Sequence, residues 1–248
     1  MKTTGFARAA AALLLMLPLG QAKAGSDAAI VYGDDLTPKG ETGVEMYAEL
    51  SRLADVNGKR ARQAFHALGE FSYGLGANWD AAIRLPVTRV GGTWHADGAF
   101  AEFKYIAPHG ASGWYVGAEL ETGRVSAPGL EASWVVEAMP ILGYRTGRWH
   151  FLANPGLEYS SDEDDHGWAF QPRFKASYQH SEQHAFGLEY FIDAGPLKEL
   201  TSRSRRNEVA YLSWDTRIAK HKVSAGIGRG TTPVSPRWSF KLVMELDD

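Results

Sequence analysis

The chain has 248 residues with no Cys, 27 Gly, 12% aromatic residues and a formal net charge of −3, and its mean hydropathy is −0.28. The missing Cys excludes disulfides, thiolate metal sites and thiol nucleophiles. The low hydropathy, with no apolar run of about 18 residues, excludes helical membrane spans, while the negative balance argues against nucleic acid as a partner.

At the amino terminus, Lys2 and Arg8 precede an apolar run from Ala9 to Gly20, followed by Ala22-Lys23-Ala24. That order of basic, apolar and small residues reads as a secretory signal spanning 1–24, cleaved near Ala24. Without its three basic residues the mature chain has 23 basic against 29 acidic residues, a charge of about −6. Residues 25–43, with Gly33, Pro38 and Gly40 among several charges, read as a mobile periplasmic segment, too short to serve as a plug.

From 44 to 248 the apolar residues alternate with period two. The pattern predicts about twelve strands, near 44–53, 62–75, 77–86, 94–106, 113–123, 132–145, 148–160, 167–179, 183–192, 207–217, 221–229 and 237–246. Ten or fourteen also fit, because 25–43 and 124–131 are ambiguous. Connections after even-numbered strands are short and rich in turn formers, such as Thr146-Gly147; those after odd-numbered strands, such as 193–206, are longer and more charged. Short inner turns alternating with long outer loops fit an all-β, antiparallel, up-and-down transmembrane barrel whose ends face the periplasm.

Three of these strands share a ruler. Trp134 and Tyr144, Trp149 and Tyr159, and Trp168 and Tyr178 each stand ten residues apart, with mostly apolar residues of matching parity between them. Ten residues at about 3.3 Å, tilted by about 40°, rise about 25 Å, the height of the apolar band of an outer-membrane barrel. The six rings are thereby placed at headgroup level as a girdle.

The opposite parity assigns the lumen. It turns Glu45, Tyr47, Glu49, His66, Glu70, Asp80, Arg84, Glu102 and Lys104 inward, and then Glu119, Glu121, Glu137, Asn154, Glu158, Gln171, Arg173, Lys175 and Glu189. Acids outnumber bases, which disfavours an anion-selective pore. Arg173 and Lys175 facing a wall of glutamates would set up a transverse field for small polar or zwitterionic solutes. The competing reading is that the same charges pair across a filled barrel.

In the loops, Asp162, Asp164 and His166 are weak candidates for a divalent cation, without the ligand spacing of a dedicated calcium loop. Arg203, Arg205 and Arg206 are candidates for lipopolysaccharide phosphates. No His is followed two positions later by Ser, the spacing of a barrel phospholipase; His66 with Glu70 is the best acid–base pair available, and its structural reading is preferred. No catalytic residue or cofactor is assigned, and the chain is not read as an enzyme.

The run Gly187-Leu188-Glu189-Tyr190, then Asp193-Ala194-Gly195-Pro196-Leu197, Gly226-Ile227-Gly228-Arg229-Gly230-Thr231, and Trp238 with Lys241 resembles a group of proteobacterial outer-membrane barrels associated with the MetA pathway of phenol degradation. Pro140-Ile141-Leu142-Gly143-Tyr144 through Trp149 to Asn154-Pro155-Gly156-Leu157 fits the same group. The resemblance implies an outer-membrane barrel for uptake or efflux of small compounds, hydrophobic ones included, and carries no binding residues to transfer. A departure is the ending Met244-Glu245-Leu246-Asp247-Asp248, where such barrels usually finish on an aromatic residue.

The sequence thus leads to a channel or transporter for small solutes in the outer membrane of a Gram-negative bacterium, in contact with outer-membrane lipid and lipopolysaccharide. The rival reading is a non-conducting structural or surface-interaction barrel that binds divalent cations through 162–166.

Overall fold

The computed structural model describes residues 28–54, 63–90, 92–126, 132–162 and 166–246. The signal-like stretch 1–24 and Asp164 therefore lie outside the described residues.

Thirteen strands form one antiparallel sheet that closes on itself. They are β1 (Thr42–Arg52), β2 (Gln63–Gly74), β3 (Trp79–Val90), β4 (Thr93–Ala96), β5 (Gly98–Ile106), β6 (Gly113–Val125), β7 (Ser133–Thr146), β8 (Trp149–Ser160), β9 (Gly167–Gln179), β10 (His184–Asp193), β11 (Asn207–Ile218), β12 (His221–Gly230) and β13 (Trp238–Leu246). Each strand pairs with its sequence neighbours except that β4 and β5 both pair with β3 rather than with each other, and β1 closes on β13 from Val44↔Leu246 to Arg52↔Trp238.

The barrel has twelve staves, because β4 and β5 are two halves of one. Val87 faces Ala96 and Arg84 faces Phe100, so three residues, 97–99, oppose two on β3. That is a bulge. Gly98 makes it feasible: its φ is +140°, and a Cβ there would sit 2.1 Å from the Arg124 carbonyl oxygen. The 77–86 and 94–106 boundaries expected for this hairpin give way to longer strands meeting near residue 92.

Alternation decides which face meets lipid. Outward positions on staves around the ring leave Phe71, Ile83, Leu120, Leu188, Leu212 and Phe240 each about half exposed, an apolar belt too large for a water-facing surface. At the ends of β7–β9 the antiparallel register sets indoles beside phenols: Trp149 lies opposite Tyr178 and Tyr159 opposite Trp168, at centroid distances of 5.1 and 5.4 Å. Tyr144 pairs instead with Trp114 of β6, at 4.8 Å, and Trp134 is among the most exposed indoles.

The inward side is crowded. Tyr115 lies flat over Gly143 of the next stave, and Tyr211 over Gly228, so closely that a Cβ on either glycine would overlap the ring. Small and large inward residues on adjacent staves thus fit a narrow lumen.

Candidate functional site: a charged lumen with an internal segment

The centre of the lumen is built around Arg84, which is fully buried. Its Nη1 donates to Glu121 Oε2 at 2.9 Å and to the Tyr32 hydroxyl at 2.7 Å. Glu70 approaches its Nε at 3.3 Å, while Glu102 and Glu119 stand 3.3 and 3.9 Å from Nη1. Lys104 adds a second cation, with Nζ 5.8 Å from the Tyr32 ring centre. Four staves, β2, β3, β5 and β6, therefore converge on one guanidinium, because every second residue of each must point to the axis.

Two further layers flank this one. Arg173 of β9 pairs with Glu137 of β7 at 2.6 Å. Lys175 bridges Glu189 at 3.2 Å and Asp215 at 2.8 Å, and Lys241 of β13 also pairs with Glu189. Near the long-loop end Glu49 accepts from Tyr47 and Ser51, and Ser51 meets Ser239 at 2.7 Å. Glu158 is also buried inside, and Glu45 lines a cavity nearer the short-turn end. The structure thus gathers Glu70, Arg84, Glu119 and Glu121 in one cluster and Glu137 with Arg173 in another. Lys175 belongs to a third group.

Residues 28–37 run through the lumen and bond wall residues of several staves. Asn154 holds the Tyr32 backbone on both sides: Tyr32 N–H donates to its Oδ1 at 2.8 Å, and its Nδ2 donates to Tyr32 O at 3.1 Å. Asn154 Nδ2 also reaches Pro140 O at 3.3 Å. Prolines at 140 and 155 interrupt the β7–β8 ladder just there, leaving a carbonyl for the side chain to satisfy. Elsewhere along the segment, Lys241 Nζ donates to Ala29 O at 2.6 Å, Ala29 N–H to the Tyr47 hydroxyl at 3.0 Å, and Thr37 N–H to Asp80 Oδ2 at 2.8 Å. Apolar packing completes the seat, with Tyr32 among Ile106, Tyr115, Met139, Ile141 and Leu152.

The physical reason for this seating is volume. Inward side chains narrow the lumen of a twelve-stave barrel, so about ten residues take up space that a wider barrel would need a domain to fill. Unpaired backbone groups of the segment find polar partners on the wall.

At the short-turn end Arg145 grips Asp34 with both Nη atoms, the Nη2 contact being 2.6 Å, and His109 stands 3.3 Å from the same carboxylate. Burial would raise the Asp34 carboxyl, but its hydrogen bond and charge contact with Arg145 hold it below the ordinary carboxylate range. Beside this latch lies a cavity of about 580 Å³ open at the short-turn end, lined by Asp35, Glu45, His150, Lys175, Lys222 and Glu245 among others.

Several other sequence candidates are not drawn together. His66 packs edge-on against Tyr47 at 5.7 Å while Glu70 faces Arg84. Arg203 pairs with Glu208 at 3.3 Å, and Arg205 and Arg206 bond Ser202 and Thr201 of their own loop. His166 contacts the Tyr159 hydroxyl at 3.3 Å, and among the described residues no three His, Asp or Glu side chains gather around a common point. Sequence reading missed Lys241, Asp215 and Arg145. The parity that turns Trp238, Phe240 and Leu242 outward also turns Lys241 inward, so that signal was present.

Solved structures decide what this architecture is. An outer-membrane channel from Pseudomonas putida F1 superposes with a TM-score of 0.65 at 15% identity, covering 87% of this chain and 98% of that one. The fold is that of an outer-membrane β-barrel. The KdgM porin, solved with disordered oligogalacturonate, gives 0.57 at 6% identity over 83% of this chain and 99% of its own. The translocator domain of the autotransporter NalP from Neisseria meningitidis gives 0.55 at 12% identity, covering 87% and 91%. No family model matches the sequence, and no curated protein does. At these identities the likeness concerns the fold alone, and the apolar belt on the outer wall suits contact with lipid.

Proposed function

We propose that this barrel is a passive channel for small solutes, with conduction governed by its charged inner wall and restrained by residues 28–37. The observation that carries the reading is the 580 Å³ cavity, which runs in from the short-turn mouth to the ion-paired group of Lys175, Glu189 and Lys241. In this reading Arg84, Lys104, Arg173 and Lys175 face Glu45, Glu49, Glu119, Glu121 and Glu158 across the path. The excess of carboxylates disfavours anions, and opposed charges suit small polar or zwitterionic solutes. The resemblance to phenol-pathway barrels adds uptake or efflux of small compounds as the physiological setting. Trp134, Tyr144, Trp149, Tyr159, Trp168 and Tyr178 act as the headgroup-level girdle.

Planar-bilayer recordings of the refolded full chain and of a variant lacking residues 28–37 test this. The full chain is expected to show small, cation-preferring currents, and the deletion several-fold larger ones. Silence of both in salts and in small zwitterions rejects the proposal.

A further inference from the structure

The lipid-facing surface is not uniform. Where β12, β13, β1 and β2 meet near the long-loop end, Leu50, Ile227, Trp238 and Phe240 line an outward cleft of about 400 Å³, bordered by Arg52 and Gln63. The cleft follows from the register, since Leu50 lies opposite Phe240 and Arg52 opposite Trp238 across the β1–β13 closure. It is apolar toward the middle of the membrane and basic at its rim.

The rim carries more than one cation. Arg229 stacks over the Trp238 ring with its guanidinium carbon 4.8 Å from the centre, and donates to Arg237 O at 3.1 Å. Two staves further on, Arg89 lies 5.6 Å from the Trp94 ring. Among the described residues no carboxylate pairs with Arg52, Arg89 or Arg229. Asp162, between β8 and β9, stands on the opposite side of the ring of staves. Among the described residues, the long-loop rim along the β12-to-β3 arc thus carries the three arginines Arg52, Arg89 and Arg229.

A guanidinium at the rim matches a phosphate by forked hydrogen bonds, and an apolar cleft beneath it matches an acyl chain. We infer that the β1–β13 closure is a binding site for a phosphorylated, acylated glycolipid of the outer leaflet, the lipid A anchor of lipopolysaccharide. Arg52 and Arg229 take a phosphate, and Leu50, Ile227, Trp238 and Phe240 seat a chain. An acyl chain here also covers the closing seam of the barrel, so the lipid acts as a fitted part of the outer wall. The inference is independent of conduction.

Native mass spectrometry of the full chain refolded in detergent, titrated with purified lipid A, tests it. The expected result is one retained lipid A, with affinity falling about tenfold in R52Q/R229Q, as loss of charge-assisted contacts predicts. Dephosphorylated lipid A should bind the unsubstituted protein with a similar loss. L50W, which fills the cleft and leaves the arginines in place, should weaken binding as well, while R217Q at the short-turn end should leave it unchanged. Unaltered binding in R52Q/R229Q or L50W, or equal retention of phosphatidylglycerol, overturns the proposal.

Discussion

The middle of the lumen and its short-turn mouth are lined by the same kinds of side chain, yet they differ in what surrounds the charges. Arg84 is wholly buried among Glu70, Glu102, Glu119 and Glu121, under the ring of Tyr32. Arg145 at the mouth keeps about a third of its side chain in solvent, next to a cavity of about 580 Å³. A charged inner parity alone therefore does not say whether a barrel is open. What decides it is whether another segment is available to cover the charges, and here residues 28–37 cover the middle and leave the mouth wet.

The sharpest way to break this comparison is to remove the cation from each region in turn. Arg84→Leu leaves four carboxylates facing one another in a place water reaches poorly, and should cost about 3–5 kcal/mol of barrel stability. Arg145→Leu, losing a half-solvated pair, should cost about 1 kcal/mol or less. Urea unfolding of the barrel in micelles, followed by its gel mobility, measures both. Equal losses would mean that the middle is as wet as the mouth.

A smaller effect is expected from the segment's central holder. Asn154→Leu removes both hydrogen bonds to the Tyr32 backbone and leaves that backbone unpaired in a buried site, at about 1–3 kcal/mol. The loss should appear as faster hydrogen exchange in residues 28–37, with the strand peptides unchanged. Were β8 to exchange faster instead, Asn154 would be serving chiefly to mend the ladder at Pro140 and Pro155.

The contrast between the two regions also marks what the sequence could tell. Strand periodicity needs only local alternation, so the twelve staves were legible; the β4–β5 bulge was not, because Gly98 alone does not announce the single extra residue opposite β3. Docking of residues 28–37 depends on partners more than a hundred positions away, such as Asn154 for Tyr32 and Arg145 for Asp34. Its traces were present as an apolar run, Ala28 to Tyr32, followed by two aspartates, but such a run carries no period that would place it inside a barrel. Sequence resolved the wall better than its filling.

The latch at the mouth should give the mildest effect, and its pH dependence has a definite sign. Arg145 holds the Asp34 carboxyl below the usual carboxylate range despite burial. A carboxylate depressed in the docked state adds stability that is complete above its free value and is lost as pH falls through the lowered one. Protection of residues 28–37 from exchange, corrected for the intrinsic rate, should therefore stay level from neutral to mildly acidic pH and fall only below the ordinary carboxylate range. Asp34→Asn should lower that protection by a few-fold at neutral pH, the equivalent of about 1 kcal/mol for a partly solvated pair, and remove the acid-induced fall. If protection instead declined between neutral and mildly acidic pH, with Asp34→Asn behaving the same, a group other than this carboxylate would control the mouth, and His109, 3.3 Å away, would be the first residue to replace.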